Sequence, residues 1–176
     1  LLMNSKLETT QKQYMKTINQ SANILLEVVN DILDFSKIES GKLDLNIEKY
    51  CIEDIILQIK ELVHYQAISK NLEINYTINE GVPKYIWVDY IRLKQVLINL
   101  LTNAIKFTQI GSINLSISVL EIQKSHALLR FSVKDTGIGI RKSNQKIIFQ
   151  AFSQEDSSTT KKFGGTGLGL TISNQL

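Results

Sequence analysis

The 176-residue sequence predicts an α+β fold, a two-layer α/β sandwich preceded by a long helix of a helical bundle. Three observations predict it. The first 40 residues repeat apolar side chains at steps of three and four, several later segments alternate apolar and polar residues, and residues 93–104 carry an apolar stripe. We therefore expect a partial helical domain at 1–40 and an α/β domain at 41–176, with one mixed sheet covered by helices.

The first helix is predicted to run from residue 8 to about residue 39. Its apolar seam repeats at the a and d positions of a heptad, at Met15, Ile18, Ala22, Leu25, Val29 and Ile32. Ser40 and Gly41 provide a plausible end to the helix. Because one helix cannot bury such a seam alone, we expect a partner helix and a homodimer formed through the bundle.

The remaining elements follow from periodicity and from turn residues. In order, we predict a strand at Leu43–Ile47, a helix at Ile52–Ser69, a strand at Leu72–Ile78, a turn at Gly81–Pro83, a strand at Ile86–Val88, a hairpin of Ile113–Ile122 with Ala127–Lys134, and the start of a helix at Thr171–Leu176. Asp89 is predicted to cap the helix that contains Asn99.

A polar stripe is predicted along that helix. Asn99, Asn103 and Lys106 are spaced i, i+4 and i+7, which places them on one face, and Arg92 and Gln95 extend it. Amide oxygens are suitable ligands for Mg²⁺, and a lysine can compensate the charge of a polyphosphate. The same pattern also fits an ordinary solvated helix face.

The first glycine-containing segment is Asp135–Gly139, with Gly137 and Gly139, at the end of an alternating run. A carboxylate at a strand end can accept a hydrogen bond from an exocyclic amine such as that of adenine. An ordinary turn is the alternative. A dinucleotide-binding fingerprint is excluded, since the third glycine and the later acidic residue are missing.

The second glycine-rich segment, Phe163–Leu170, lies just before the last predicted helix. Consecutive backbone N–H groups at this place would form an anion site. No Gly-Lys-Ser/Thr sequence follows, so the segment is not a P-loop.

Taken in order, these segments resemble the ATP-binding domain of sensor histidine kinases, which has the histidine-kinase ATPase (Bergerat) fold. The stretch from Asn99 to Asn103 is similar to the N box, Asp135–Gly139 to the G1 box and Gly165–Gly169 to the G2 box. Phe149 and Phe152 are similar to the F box. Leu25–Leu43 resembles the second helix of the dimerisation and phosphoacceptor domain, and Ser153–Gly165 resembles the ATP lid of the hybrid subgroup.

The resemblance implies a protein histidine kinase of two-component phosphorelay signalling, with ATP and Mg²⁺ as cofactors and a receiver domain as partner. Asn103 would be the first Mg²⁺ ligand, supported by Asn99, while Lys106 would neutralise phosphate charge and Asp135 would select adenine. The other implied nucleotide-binding residues are Phe107 over the adenine, Gly137 and Gly139 beside it, and Gly165, Thr166, Gly167, Leu168 and Gly169 around the phosphates.

The family's phosphoacceptor histidine is expected to lie upstream of Leu1, so no catalytic residue is assigned within the chain. His64 and His126 lack the flanking residues of that motif. We expect both ends to be cut, with the family's final strand hairpin missing, and the isolated fragment to be inactive. Gln154 stands near the position where many family members have an arginine that reaches the terminal phosphate. Positive charge at that phosphate would then have to come from Lys106, the metal, or Lys161 and Lys162.

Composition excludes some classes of function. The net charge of +3, from 20 basic and 17 acidic residues, does not favour nucleic-acid binding. Cys51 is the single cysteine of the sequence and cannot form an internal disulfide. Without an apolar stretch of about 20 residues, we expect a cytoplasmic location, either free or as part of a membrane-bound sensor. Two alternatives stay open: an ATPase of the gyrase or chaperone type, which would have Glu where Asn99 stands, and a binding or dimerisation module without catalysis.

Overall fold

The computed structural model describes residues 7–123, 126–151 and 167–176. The chain divides into two compact units, Leu1–Leu43 and Asp44–Leu176. No helix within the described ranges is both long enough and apolar enough to cross a membrane.

The first unit contains one long helix, α1, Thr9–Glu39, as predicted. At its start the side chain of Gln11 accepts the backbone N–H of Glu8 at 3.0 Å, and at its end the Ser40 hydroxyl donates to the carbonyl of Ser36 at 2.8 Å. Most of the seam is open to solvent, with Leu25 65% exposed and Ile32 47% exposed.

The second unit alternates strands with helices. Its elements are β1 (Glu48–Cys51), α2 (Ile52–Ser69), β2 (Glu73–Ile78), β3 (Tyr85–Val88), α3 (Tyr90–Phe107), β4 (Ser112–Ile122), β5 (Ala127–Asp135), a 3₁₀ turn (Ile147–Phe149) and α4 (Gly169–Gln175). The predicted helix over Ile52–Ser69 and the predicted hairpin of β4 with β5 are confirmed.

The described strands form two sheets, so the single mixed sheet predicted from the sequence is wrong. β2 pairs in parallel with β4, which pairs antiparallel with β5, whereas β1 and β3 form a separate antiparallel pair. A turn separates β2 from β3. In it the N–H of Val82 bonds to the carbonyl of Asn79, and Pro83 has no N–H to donate to a neighbouring strand.

The strand predicted at Leu43–Ile47 is also wrong, because these residues pair with no strand in the described part of the chain. The N–H of Asn46 donates instead to the Asp89 carboxylate at 2.9 Å. Regular pairing starts only at Glu48, opposite Val88. An alternating pattern shows which residues face inwards, but a strand also needs a neighbouring strand at the right register.

The core lies between one face of the three-stranded sheet and the helices α2 and α3. Its most buried members are Ile52, Ile55, Ile59, Val63, Leu97, Leu101, Ile113, Leu115 and Ile117. In β4 these isoleucines and leucine alternate with polar or exposed residues, which is the pattern of a sheet covered on one side. The arrangement is the two-layer α/β sandwich that the sequence predicts.

Candidate functional site

The polar stripe of α3 lies away from the core. Leu97, Leu101, Ala104 and Ile105 are buried on the inner side of the helix. Asn99, Asn103 and Lys106 are partly exposed, on a face that the core does not cover. The helix begins at Asp89, whose carboxylate accepts the N–H of Arg92 at 3.0 Å, so the predicted N-cap is confirmed.

The two asparagines of the stripe have different hydrogen-bond partners. Asn99 donates from Nδ2 to the Ser173 hydroxyl at 2.8 Å, and its Oδ1 accepts Nδ2 of Asn103 at 3.3 Å. Asn99 is therefore engaged at both ends of its amide. Oδ1 of Asn103 has no hydrogen-bond partner among the residues that the structure describes, so of the two amide oxygens it is the one that could ligate a metal without losing a hydrogen bond.

Gly169, the first residue of α4, packs directly on Asn99. A Cβ added at Gly169 would lie 2.3 Å from Oδ1 of Asn99, so any larger residue would push the two apart. The neighbouring Leu168 side chain is 1% exposed. At Leu168 it is therefore the backbone, rather than the side chain, that could face a nucleotide.

The turn after β5 presents Asp135 to solvent. Oδ1 of Asp135 accepts the N–H of Gly137 at 2.8 Å, and its other carboxylate oxygen has no bond within the described ranges. Gly137 also lies against the end of α3, since a Cβ there would be 2.5 Å from the carbonyl oxygen of Phe107. The N–H of Ile138 donates to the same oxygen at 3.4 Å.

Lys106 supplies positive charge at the same end of α3. Its ammonium lies 4.9 Å from the centre of the Phe107 ring. Burial lowers the pKa of Lys106 below the usual 10.5, because a partly desolvated ammonium is less stable than a hydrated one. An incoming phosphate would relieve that cost.

The structure thus brings together three of the predicted regions: the stripe of α3, the turn at Asp135 to Gly139, and the start of α4. Phe149 of the F-box segment is joined to α4, since its carbonyl accepts the Thr171 hydroxyl at 3.1 Å. Several residues with predicted roles lie outside the described ranges. They are Gly165, Thr166, Phe152, and Gln154, Lys161 and Lys162 of the predicted lid.

Two residues at this site were missed by sequence reasoning. Ser173 lies one turn after Gly169 on α4, and that i, i+4 spacing was the available signal. Lys70 donates to two carbonyl oxygens at the end of α3, 35 and 36 residues away. No local pattern in the sequence indicates that contact.

Comparison with known families agrees with this geometry. Residues 88–176 match the family model for histidine kinase-, DNA gyrase B-, and HSP90-like ATPases. Residues 1–41 match the model for the His Kinase A (phospho-acceptor) domain.

Relatives are found among sensor kinases. The chain is 43% identical over its whole length to the sensor protein GacS of Pseudomonas syringae pv. syringae, of which it covers 19%. It is 38% identical, again over its whole length, to hybrid signal transduction histidine kinase B of Dictyostelium discoideum, of which it covers 9%. The chain therefore spans about a fifth or less of these relatives.

Among solved structures, full-length ShkA in complex with AMPPNP is similar to this chain, with a TM-score of 0.80 at 35% identity. The match covers 99% of this chain and 35% of ShkA.

Proposed function

This chain belongs to the family of histidine kinase-, DNA gyrase B- and HSP90-like ATPases, and from that premise we propose that it is the ATP-binding part of a hybrid sensor histidine kinase. The intact enzyme would transfer the γ-phosphoryl group of ATP to a histidine and then to an aspartate of a receiver domain. The match of residues 1–41 to a phosphoacceptor domain supports kinase activity over the gyrase and chaperone activities.

The observation that carries the proposal is the placement of Asp135 and Asn103 around one end of α3. Asp135 keeps one carboxylate oxygen for a ligand, while its other oxygen holds the turn through Gly137. A carboxylate accepts from the amine of adenine but would face the carbonyl oxygen of guanine. This arrangement favours ATP over GTP.

The phosphates of the nucleotide would lie along the polar stripe of α3. We assign Asn103 as the Mg²⁺ ligand, through Oδ1, and Asn99 as the residue that orients it. Lys106 would neutralise phosphate charge, and Phe107 would lie over the adenine. The segment of Gly165, Thr166, Gly167, Leu168 and Gly169 would contact the phosphates through its backbone. When bound, Mg²⁺ would offset the negative charge of the polyphosphate.

The chemical contribution of this chain would be positioning and charge neutralisation, as is general in phosphoryl transfer. The segment matched to the phosphoacceptor domain, residues 1–41, contains no histidine. His64 and His126 lie elsewhere, so the acceptor would belong to a segment outside these 176 residues. A homodimer formed through α1, a receiver partner and a cytoplasmic location belong to the same proposal.

Replacing Asp135 with Asn tests the site. Asparagine can still accept the Gly137 N–H, so the turn should keep its form, but it is a weaker acceptor for the amine of adenine. We expect ATP affinity to fall by about 10- to 100-fold, which corresponds to ~1.5–3 kcal/mol. Calorimetric titration with Mg-ATP and Mg-GTP measures both the affinity and the selectivity.

The matched control is Asp44→Asn, which changes an exposed carboxylate outside the site. It should bind ATP as the wild type does. If Asp135→Asn and Asp44→Asn bind ATP equally well, Asp135 does not contact the base. If the wild type binds neither nucleotide, the proposed function itself is wrong for this chain.

A further inference from the structure

We propose that Lys70 is a positioning residue for the adenine end of the nucleotide site, an inference that rests on the proposed function. Lys70 follows α2, and its ammonium donates to the carbonyl oxygens of Ile105 at 2.7 Å and Lys106 at 3.0 Å.

The contact of Lys70 provides hydrogen-bond donors for backbone carbonyls at the end of α3. The last carbonyls of a helix have no partner within the helix, and the negative end of the helix dipole lies there. In α3 the N–H of Thr108 bonds to the carbonyl of Ala104, which leaves the carbonyls of Ile105 and Lys106 beyond the final helical bond. Lys70 provides both hydrogen bonds and the compensating positive charge.

Lys70 is itself held by the turn that joins α2 to β2. Its N–H bonds to the carbonyl of Ala67, the N–H of Asn71 bonds to Ile68, and Asn71 adopts the left-handed conformation with φ of 54°. The side chain therefore starts from a fixed backbone. A fixed donor can define where the end of α3 lies, not merely follow it.

Phe107 connects the end of α3 to the turn at Asp135 to Gly139. The Phe107 carbonyl accepts the N–H of Ile138 and lies so close to Gly137 that a Cβ would not fit between them. Gly137 in turn holds Asp135 through the 2.8 Å hydrogen bond. Moving the end of α3 would therefore shift the turn that holds Asp135 as well as Phe107.

This role predicts a specific pattern of nucleotide binding. Lys70 acts through the backbone at the end of α3, and so on Phe107 and Asp135, which would face the base, and on Lys106, while its own ammonium is held by two backbone carbonyls and would not meet the terminal phosphate. Its loss should therefore weaken ATP and ADP by similar factors, because both carry the adenine and the diphosphate that these residues would meet. A lysine that contacted the terminal phosphate directly would instead affect ATP more than ADP.

The test compares Lys70→Met and Lys70→Arg with Lys60→Met in the full 176-residue chain. Lys60 lies on α2, the helix that Lys70 follows, and its ammonium is 5.8 Å from the Tyr76 ring, so its replacement controls for loss of a lysine in this region. We expect Lys70→Met to bind Mg-ATP and Mg-ADP about tenfold more weakly, as is usual when support of a site is removed. Lys70→Arg should recover most of the affinity, and Lys60→Met should bind like the wild type.

Amide hydrogen exchange at Ile138 without nucleotide provides the second measurement. In Lys70→Met the Ile138 amide should exchange faster than in Lys60→Met, while exchange at buried Ile113 stays unchanged.

Wild-type affinity in Lys70→Met, or a loss confined to ATP, would overturn the inference while leaving the proposed function intact. A wild type that binds no ATP would overturn the proposed function instead, and the exchange at Ile138 would then still decide the role of Lys70. If Lys70→Met does not fold, Lys70→Gln, a neutral donor, replaces it in both measurements.

Discussion

At the scale of single residues, Lys106 carries a charge that the fold partly withdraws from water. Its ammonium is partly desolvated but lies against the Phe107 ring, whose face attracts a cation. Burial still lowers the pKa of Lys106, so the ring does not fully replace water. A phosphate bound there would stabilise the protonated form, and binding therefore depends on the proton.

We predict that ATP affinity falls as the pH rises through the lowered pKa of Lys106. The protonated form binds phosphate, and because the pKa lies below 10.5, the loss should begin at a lower pH than for an ordinary lysine. Lys106→Arg should retain affinity over the same range, since a guanidinium stays charged. Titrating nucleotide at increasing pH up to 10.5, the ordinary value for lysine, with circular dichroism to confirm the fold, measures this. Parallel pH profiles for the two proteins would exclude Lys106 from the phosphate site.

At the scale of secondary-structure elements, α3 is fixed at both ends by groups distant in sequence. At its start, Asp89 accepts hydrogen bonds from the N–H of Arg92 at 3.0 Å and of Asn46 at 2.9 Å, and at its end Lys70 binds the last carbonyls. Burial raises the pKa of Asp89, but these hydrogen bonds and the nearby Arg92 lower it by more, so the net pKa lies below 3.8. The ionised carboxylate is thus the form that stabilises the helix.

We predict that Asp89→Ala lowers the free energy of unfolding at pH 7 by about 1–2 kcal/mol, the usual cost of losing an N-cap. Since the folded-state pKa is lowered, the stabilisation is present above 3.8 and is lost as the pH falls through the folded-state value. Urea unfolding at pH 7 and at lower pH should therefore show the wild type and the variant converging in acid. Asp44→Ala is the exposed control, and an equal loss in that variant would contradict a special role for Asp89.

At the scale of the whole molecule, the chain combines a globular unit that has its own core with a helix that does not. The seam of α1 is formed by residues such as Leu25, Val29 and Ile32, which are 65%, 44% and 47% exposed. A regular exposed apolar stripe of this length is typical of a helix that packs against other helices. We therefore expect the seam to drive self-association.

Replacing Leu25 and Val29 together with Glu should make the protein monomeric, because each change places a charge on the seam. Gln20→Glu adds a charge on the opposite face of α1 and is the control. Sedimentation velocity over a concentration series measures the association, and ATP titration of the double variant should show unchanged affinity. Wild-type protein that is monomeric at all concentrations, or a double variant that still associates, would rule out this seam as the interface.

The sequence by itself determined those elements whose local signals agree. The repeated isoleucines and the end at Ser69 define α2 residue for residue, and Asp89 identifies the start of α3. The i, i+4, i+7 spacing was also enough to predict that Asn99, Asn103 and Lys106 share a face. In each of these cases a helix satisfies its own backbone hydrogen bonds, so nearby residues contain the information.

Tertiary structure alone decided the features that depend on a distant partner. Residues 43–47 alternate like a strand, yet Asn46 bonds to Asp89, and none of the described strands pairs with these residues. The division into two sheets, the bond between Asn99 and Ser173 and the contact of Lys70 with the end of α3 are likewise decided across 34 residues or more. Strand pairing and side-chain contacts of this range are fixed only when the core packs, because their free energy depends on which surfaces meet.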